Sequence, residues 1–186
     1  MTANTIEINR RRHPIQPGSP QWLFGYGSLI YKVDFPYLER RRAWIRGWAR
    51  RFWQGSHDHR GTPESPGRVV TLVEEPGVLC RGLAYRVSPE VFHHLDVREK
   101  NGYLRLPTAM HFDDGGEAEG LIYIAAPDNA AFLGAAPARE MAAQIARASG
   151  PSGANADYLL RLAEALRQLG DDDPHVFELE RLVLSA

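Results

Sequence analysis

Strand-like and helix-like hydrophobic patterns are segregated along this chain. From residue 22 to residue 125 the apolar residues fall in short β-branched and aromatic runs, interrupted by one short helical signal. After Pro137 they recur at helical spacing. A repeating βαβ architecture would alternate the two patterns, so their order predicts an α+β domain, with five or six strands followed by helices.

The expected strands cover residues 22–26, running into Gly27-Ser28; 43–54, whose Trp44/Trp48/Phe52 spacing would also suit a helix; and 69–73 and 79–87, separated by a turn at Pro76-Gly77. Two more flank the hairpin-like Asp113-Asp114-Gly115-Gly116, the second covering 120–125 and carrying Tyr123. Ser88-Pro89 opens a short helix that turns Phe92 and Leu95 inward and stops near Asn101-Gly102. Later, Pro137 starts a helix with Met141 and Ile145 on its buried face, and Asn155 caps another through Tyr158, Leu162, Leu166 and Leu169. Asp173-Pro174 opens the last, through Val176, Leu179 and Leu182. Residues 1–20 are polar and contain Arg10-Arg11-Arg12. They read as a flexible N-terminal tail before a domain over 21–186.

Composition excludes several classes. At 44% hydrophobic the chain can fill a core, and a formal net charge of -1 gives no general pull toward nucleic acid or anionic membrane. The longest apolar run, 121–126, is far short of the ~20 residues a spanning helix needs. No apolar signal core is visible near the start, so a cytoplasmic protein without nucleic-acid or membrane partners is expected. The single Cys80 rules out an internal disulfide and a multi-cysteine metal site, and its apolar surroundings suggest an inert thiol.

Four clusters could carry chemistry. Gly25-Tyr26-Gly27-Ser28-Leu29 ends a strand in a glycine-flanked turn, where backbone N–H groups can form a nest for a carboxylate or an oxyanion. On the residues alone an ordinary strand exit outweighs that reading. His57-Asp58-His59 contains ligand types, but neighbours on a strand diverge and no third partner motif is present, so no metal is expected. Asp96-Val97-Arg98-Glu99-Lys100 is a charged helix end that would ordinarily be solvated surface. Arg50, Arg51, Arg60 and Arg68, interleaved with Phe52 and Trp53, could stack bases or clamp a small acidic ligand, and the near-neutral charge favours the ligand.

Taken together, the motifs resemble those of the ChaC-like γ-glutamylcyclotransferases. Phe24-Gly25-Tyr26-Gly27-Ser28-Leu29-Ile30 is similar to that family's substrate loop. Arg50-Arg51-Phe52-Trp53-Gln54-Gly55-Ser56, Asp58-His59-Arg60-Gly61-Thr62-Pro63 and Pro66-Gly67-Arg68-Val69-Val70-Thr71-Leu72-Val73 follow in the family's order. Leu95-Asp96, Arg98-Glu99-Lys100 and Gly102-Tyr103 resemble the segment with the catalytic glutamate. Gly150-Pro151-Ser152-Gly153, Asn155 and Tyr158-Leu159 resemble the C-terminal signature. His57 and Ala135-Ala136 depart from the pattern without touching the loop or Glu99.

The resemblance implies a γ-glutamylcyclotransferase-like fold, a small, partly closed mixed β-barrel with surrounding helices. It also implies cofactor-free cleavage of glutathione to 5-oxoproline and cysteinylglycine. Glu99 would transfer the proton. The backbone amides of Tyr26, Gly27, Ser28 and Leu29 would hold substrate oxygens, Tyr123 would pack or bond the glutamyl end, and Arg68 would meet a carboxylate. Other γ-glutamyl amino acids or amines as substrates, or a non-catalytic sensor of a small acidic metabolite, are the alternatives.

Overall fold

Five strands close on themselves. The computed structural model describes residues 4–100 and 102–186. Strands β1 (Gln21–Gly25), β2 (Glu39–Ser56), β3 (Gly67–Val87), β4 (Tyr103–Phe112) and β5 (Glu117–Ala125) form a closed barrel in the order β1-β3-β2-β4-β5. β1 runs antiparallel to β3, from Gln21↔Val87 to Gly25↔Leu83, and parallel to β5 at Trp22↔Gly120. The barrel is thus fully closed, not partly closed, which leaves no free sheet edge to protect. β4 and β5 are joined at the expected Asp113–Gly116 turn, where Gly115 and Gly116 adopt φ of 105° and 88°.

The chain sorts into two compact units. The first lies within Met1–Ala49 and Glu74–Ala130, the second within Arg50–Val73 and Ala131–Ala186. In the first unit, Leu23, Phe24, Ile45, Tyr85, Phe92, Leu95, Met110 and Ile122 are almost wholly buried. Each contributes about 1.5–3 kcal/mol of apolar burial if it behaves as a typical large side chain. Helix α1 (Ile6–Arg12) and helix α2 (Pro89–Arg98) belong to this unit. Within the first 20 residues, Thr5 and Asn9 are buried because their polar groups find backbone partners. α2 begins as expected, with Ser88 at the N-cap position and Pro89 at the first turn. Of its expected stop, Asn101 lies outside the described residues, and Gly102 adopts φ 100°.

The second unit holds α3 (Ala138–Arg147), α4 (Asn155–Gln168) and α5 (Pro174–Leu184), with Phe52, Ile145, Leu159, Leu162, Leu166 and Val176 buried. A two-residue ladder, Ser149–Gly150 with Gly153–Ala154, leads into α4. Asp173 caps α5 by accepting from the Val176 N–H at 3.2 Å. Asn155 differs from expectation. It is the first helical residue, not the cap, and its amide accepts from Arg68 N–H and donates to Arg68 O, both at 2.8 Å. Its side chain imitates a neighbouring strand instead of capping its own helix.

Candidate active site

β1 ends at Gly25 and the chain turns at once into a 3-10 turn, Ser28–Ile30, with Gly27 at its N-cap position. Two carbonyls close the turn: Gly27 O accepts from Ile30 N–H, while Ser28 O accepts from Tyr31 N–H and Lys32 N–H. Among the described residues, the N–H groups of Gly27, Ser28 and Leu29 make no hydrogen bond of their own, as the first donors of any helical turn do not. They form a backbone donor set of the kind that holds an anion. Two tyrosines fix the loop from behind. Tyr85 Oη donates to Leu29 O at 2.5 Å, and burial pushes its pKa up to about 12, so it stays a donor. Tyr26 Oη donates to the Tyr123 carbonyl. The backbones also meet closely: a Cβ on Gly82 would lie 2.2 Å from Gly25 O.

Glu99 occupies the C-cap position of α2, with its N–H bonded to Leu95 O at 2.8 Å and its side chain 23% exposed. The carboxylate stands 3.7 Å from Arg98 Nε, and Arg98 Nη1 donates to Asp34 Oδ1 at 2.8 Å. Three residues before Glu99, Asp96 is buried against Arg105, whose Nη1 lies 2.6 Å from both carboxylate oxygens. Tyr123 Oη donates to the same Asp96 at 2.6 Å. Burial first, then the Asp96 charge, holds its pKa far above the usual phenol value.

The structure therefore joins the loop, and the segment that follows it, to the Glu99 helix. One path runs from Tyr26 through Tyr123 to Asp96, the other from Asp34 to Arg98. Asp96 falls within the sequence motif around Glu99, but Arg105 and Asn9 have no signal in the sequence beyond their polarity, because their partners lie on distant elements. Arg68 falls in the second unit. There its Nε donates to Gln144 Oε1 at 2.7 Å and its Nη1 to Phe52 O and Gly134 O, while burial lowers its pKa from the ordinary value. His59 of the His57-Asp58-His59 run has its Nδ1 3.1 Å from Ser152 Oγ. Among the described residues, no three His, Cys, Asp or Glu side chains group as metal ligands, and no helix is long and apolar enough to cross a membrane.

The model of the family described as "ChaC-like protein" matches residues 21–186. The chain belongs to the ChaC-like family. A ChaC-like relative from Danio rerio, "Glutathione-specific gamma-glutamylcyclotransferase 1", is 45% identical over 90% of each chain. The Arabidopsis thaliana protein "Gamma-glutamylcyclotransferase 2-3" is 46% identical over 87% of each. A crystal structure of the glutathione-specific yeast cyclotransferase superimposes with a TM-score of 0.84 at 33% identity, covering 90% of this chain and 97% of that one. The ChaC-like match begins only at residue 21, so α1 lies outside it.

Proposed function

We propose that this protein is a glutathione-specific γ-glutamylcyclotransferase, releasing 5-oxoproline and cysteinylglycine, with Glu99 as its proton-transfer residue. The observation that carries the reading is the pairing of an unpartnered backbone donor set at Gly27–Leu29 with a carboxylate at the end of α2, joined through Tyr123 and Asp96. The names of the 45% identical relative and of the yeast structure support glutathione as substrate.

The chemistry needs little from the protein. The α-amine of a γ-glutamyl group can reach its own γ-carbonyl, so the substrate supplies the nucleophile. The new bond joins the α-nitrogen to the γ-carbonyl carbon and closes a five-membered ring, and the bond that breaks is the amide to the cysteinyl nitrogen. Protons leave the α-ammonium and end on the departing amine, and Glu99 relays them. The Tyr26–Leu29 backbone holds the substrate's charged oxygens or the developing oxyanion. Folding the flexible glutamyl chain into attack geometry supplies part of the ~7–11 kcal/mol available from ideal orientation. Tyr123 serves by holding Asp96 and Tyr26 in place. Arg68 would meet a substrate carboxylate through its Nη2, since its Nε and Nη1 donate to three oxygens of the second unit. The reading places the enzyme in the cytoplasm, where a reducing glutathione pool is maintained.

The test is 5-oxoproline formation from glutathione by the wild type and Glu99→Gln. The variant is nearly isosteric, so the fold should persist while turnover falls by about 10²-fold or more. A fully active Glu99→Gln would remove Glu99 from the mechanism. Turnover of γ-glutamyl-alanine at a comparable kcat/KM would remove the glutathione specificity but keep the cyclotransferase.

A further inference from the structure

A helix C-terminus leaves its last carbonyls without partners inside the helix. α2 ends beside the residue assigned the proton relay, and the carbonyls of Glu99, at its C-cap position, and of Lys100, just past it, both accept from one residue far away in sequence. Thr5 Oγ1 donates to Glu99 O at 3.3 Å, and Thr5 N–H donates to Lys100 O at 3.0 Å. Thr5 is 3% exposed and makes no cap bond to its own helix, so its hydroxyl serves α2 and not α1.

One turn further along α1, Asn9 is 1% exposed and fully engaged. Its Oδ1 accepts from Arg105 N–H at 2.8 Å, its Nδ2 donates to Tyr103 O at 3.3 Å, and its own carbonyl accepts from Arg105 Nη2 at 3.1 Å. His13 O, at the end of α1, accepts from the same Nη2 at 2.5 Å. Arg105 in turn grips Asp96 on α2, and Tyr103 N–H donates to Glu99 O at 3.3 Å. α1 therefore reaches the end of α2 directly through Thr5, and through Tyr103 and Arg105 of β4.

We propose that α1 is a strap that positions Glu99, with Thr5 and Asn9 as its positioning residues. The strap lies outside the residues that the ChaC-like family model matches. The inference rests on the reading of Glu99 as proton relay. Thr5 and Asn9 hold the backbone around the carboxylate and do not touch the Gly27–Leu29 donors. Losing the Thr5 hydroxyl or the Asn9 amide breaks none of the Tyr26–Tyr123–Asp96 bonds that reach the loop, so the proton relay moves more than the loop does: kcat falls and KM changes little. Displacements near 1 Å at reacting groups cost about 10²-fold.

The experiment compares wild type, Thr5→Val, Thr5→Ser and Asn9→Ala in the full chain, measuring kcat and KM for glutathione together with the folded fraction by circular dichroism. Thr5→Val keeps the shape of the side chain and removes only the hydroxyl, so it decides the matter alone if Asn9→Ala does not fold. The expected result is a kcat lower by about tenfold or more in Thr5→Val and Asn9→Ala, KM within about threefold, and recovery in Thr5→Ser. Wild-type kcat in Thr5→Val, or activity lost only in proportion to folded protein, would overturn the strap. Glu99→Gln separates the two readings: if it is inactive while Thr5→Val is normal, only the strap falls, and if it is active, the proton relay falls first.

Discussion

His175 is a neutral histidine built into the second unit. Its Nε2 accepts from the Phe52 N–H at 3.0 Å, a role that protonation abolishes. Burial first, then the charges of Arg51, Arg50 and Arg68 against that of Asp173, lower its pKa to about 4. Between that value and its ordinary 6.5 the unfolded chain takes up a proton that the folded chain refuses. Stability is therefore complete above about 6.5 and is lost as pH falls toward 4, by on the order of 3 kcal/mol in total. Asp171 works the other way, since burial raises its pKa and the folded state binds its proton more readily. Urea unfolding at pH 7 and pH 5 should show the loss, and His175→Gln, which keeps an acceptor that does not titrate, should flatten it. In the first unit, Asp96→Asn leaves the buried Arg105 guanidinium without its counter-charge and should cost about 3–5 kcal/mol. Tyr123→Phe removes one hydrogen bond to that carboxylate and should cost about 1.5–3 kcal/mol, both read as shifts in denaturant midpoint. None of these partnerships was legible in the sequence. Glu99 was reached only through ordered family motifs, and its supports lie about a hundred positions away, as Asn9 and Arg105 do at a separation of 96.

At the level of elements, the strand and helix patterns located nearly every element, and the failures have definite causes. Pro76-Gly77 was read as a turn, yet β3 runs unbroken from Gly67 to Val87, with Gly77 at φ 83° absorbing the irregularity inside the strand. Pro-Gly favours a turn locally, but pairing along the rest of the strand overrides that preference. The doubtful 43–54 segment became β2 because its neighbours supply a ladder, which helical spacing alone could not exclude. Two glycines of β3 should respond very differently to alanine. A Cβ at Gly77 meets nothing within 4 Å, so Gly77→Ala pays only for its positive φ, roughly 1–2 kcal/mol. Gly82→Ala drives a Cβ into the Gly25 carbonyl, where β1 runs into the Ser28–Ile30 turn. Thermal denaturation should show Gly82→Ala far more destabilised, and any protein that folds should turn over poorly.

For the molecule as a whole, the segregated patterns gave the α+β class but not the division into two units. Each unit is assembled from separated stretches: Arg50–Val73 belongs with Ala131–Ala186, while Glu74–Ala130 belongs with the first 49 residues. Hydrophobic periodicity reports on neighbours in sequence, and such membership depends on distant ones. β2 and β3 each contribute to both units. The Arg50 guanidinium, buried in the second unit, pairs with Asp173 at 2.7 Å across 123 positions of chain. A growing polypeptide leaving a ribosome can therefore complete the first unit once residue 130 has emerged. Within residues 50–73 the two strand pieces can pair with each other as parts of β2 and β3, but Arg50 and Phe52 find Asp173 and Tyr158 only when the last third arrives. Closing loops of that length precedes any reward from the contacts they bring, which places spontaneous refolding in the slow range of milliseconds to seconds. The waiting segment is where chaperones would be expected to act.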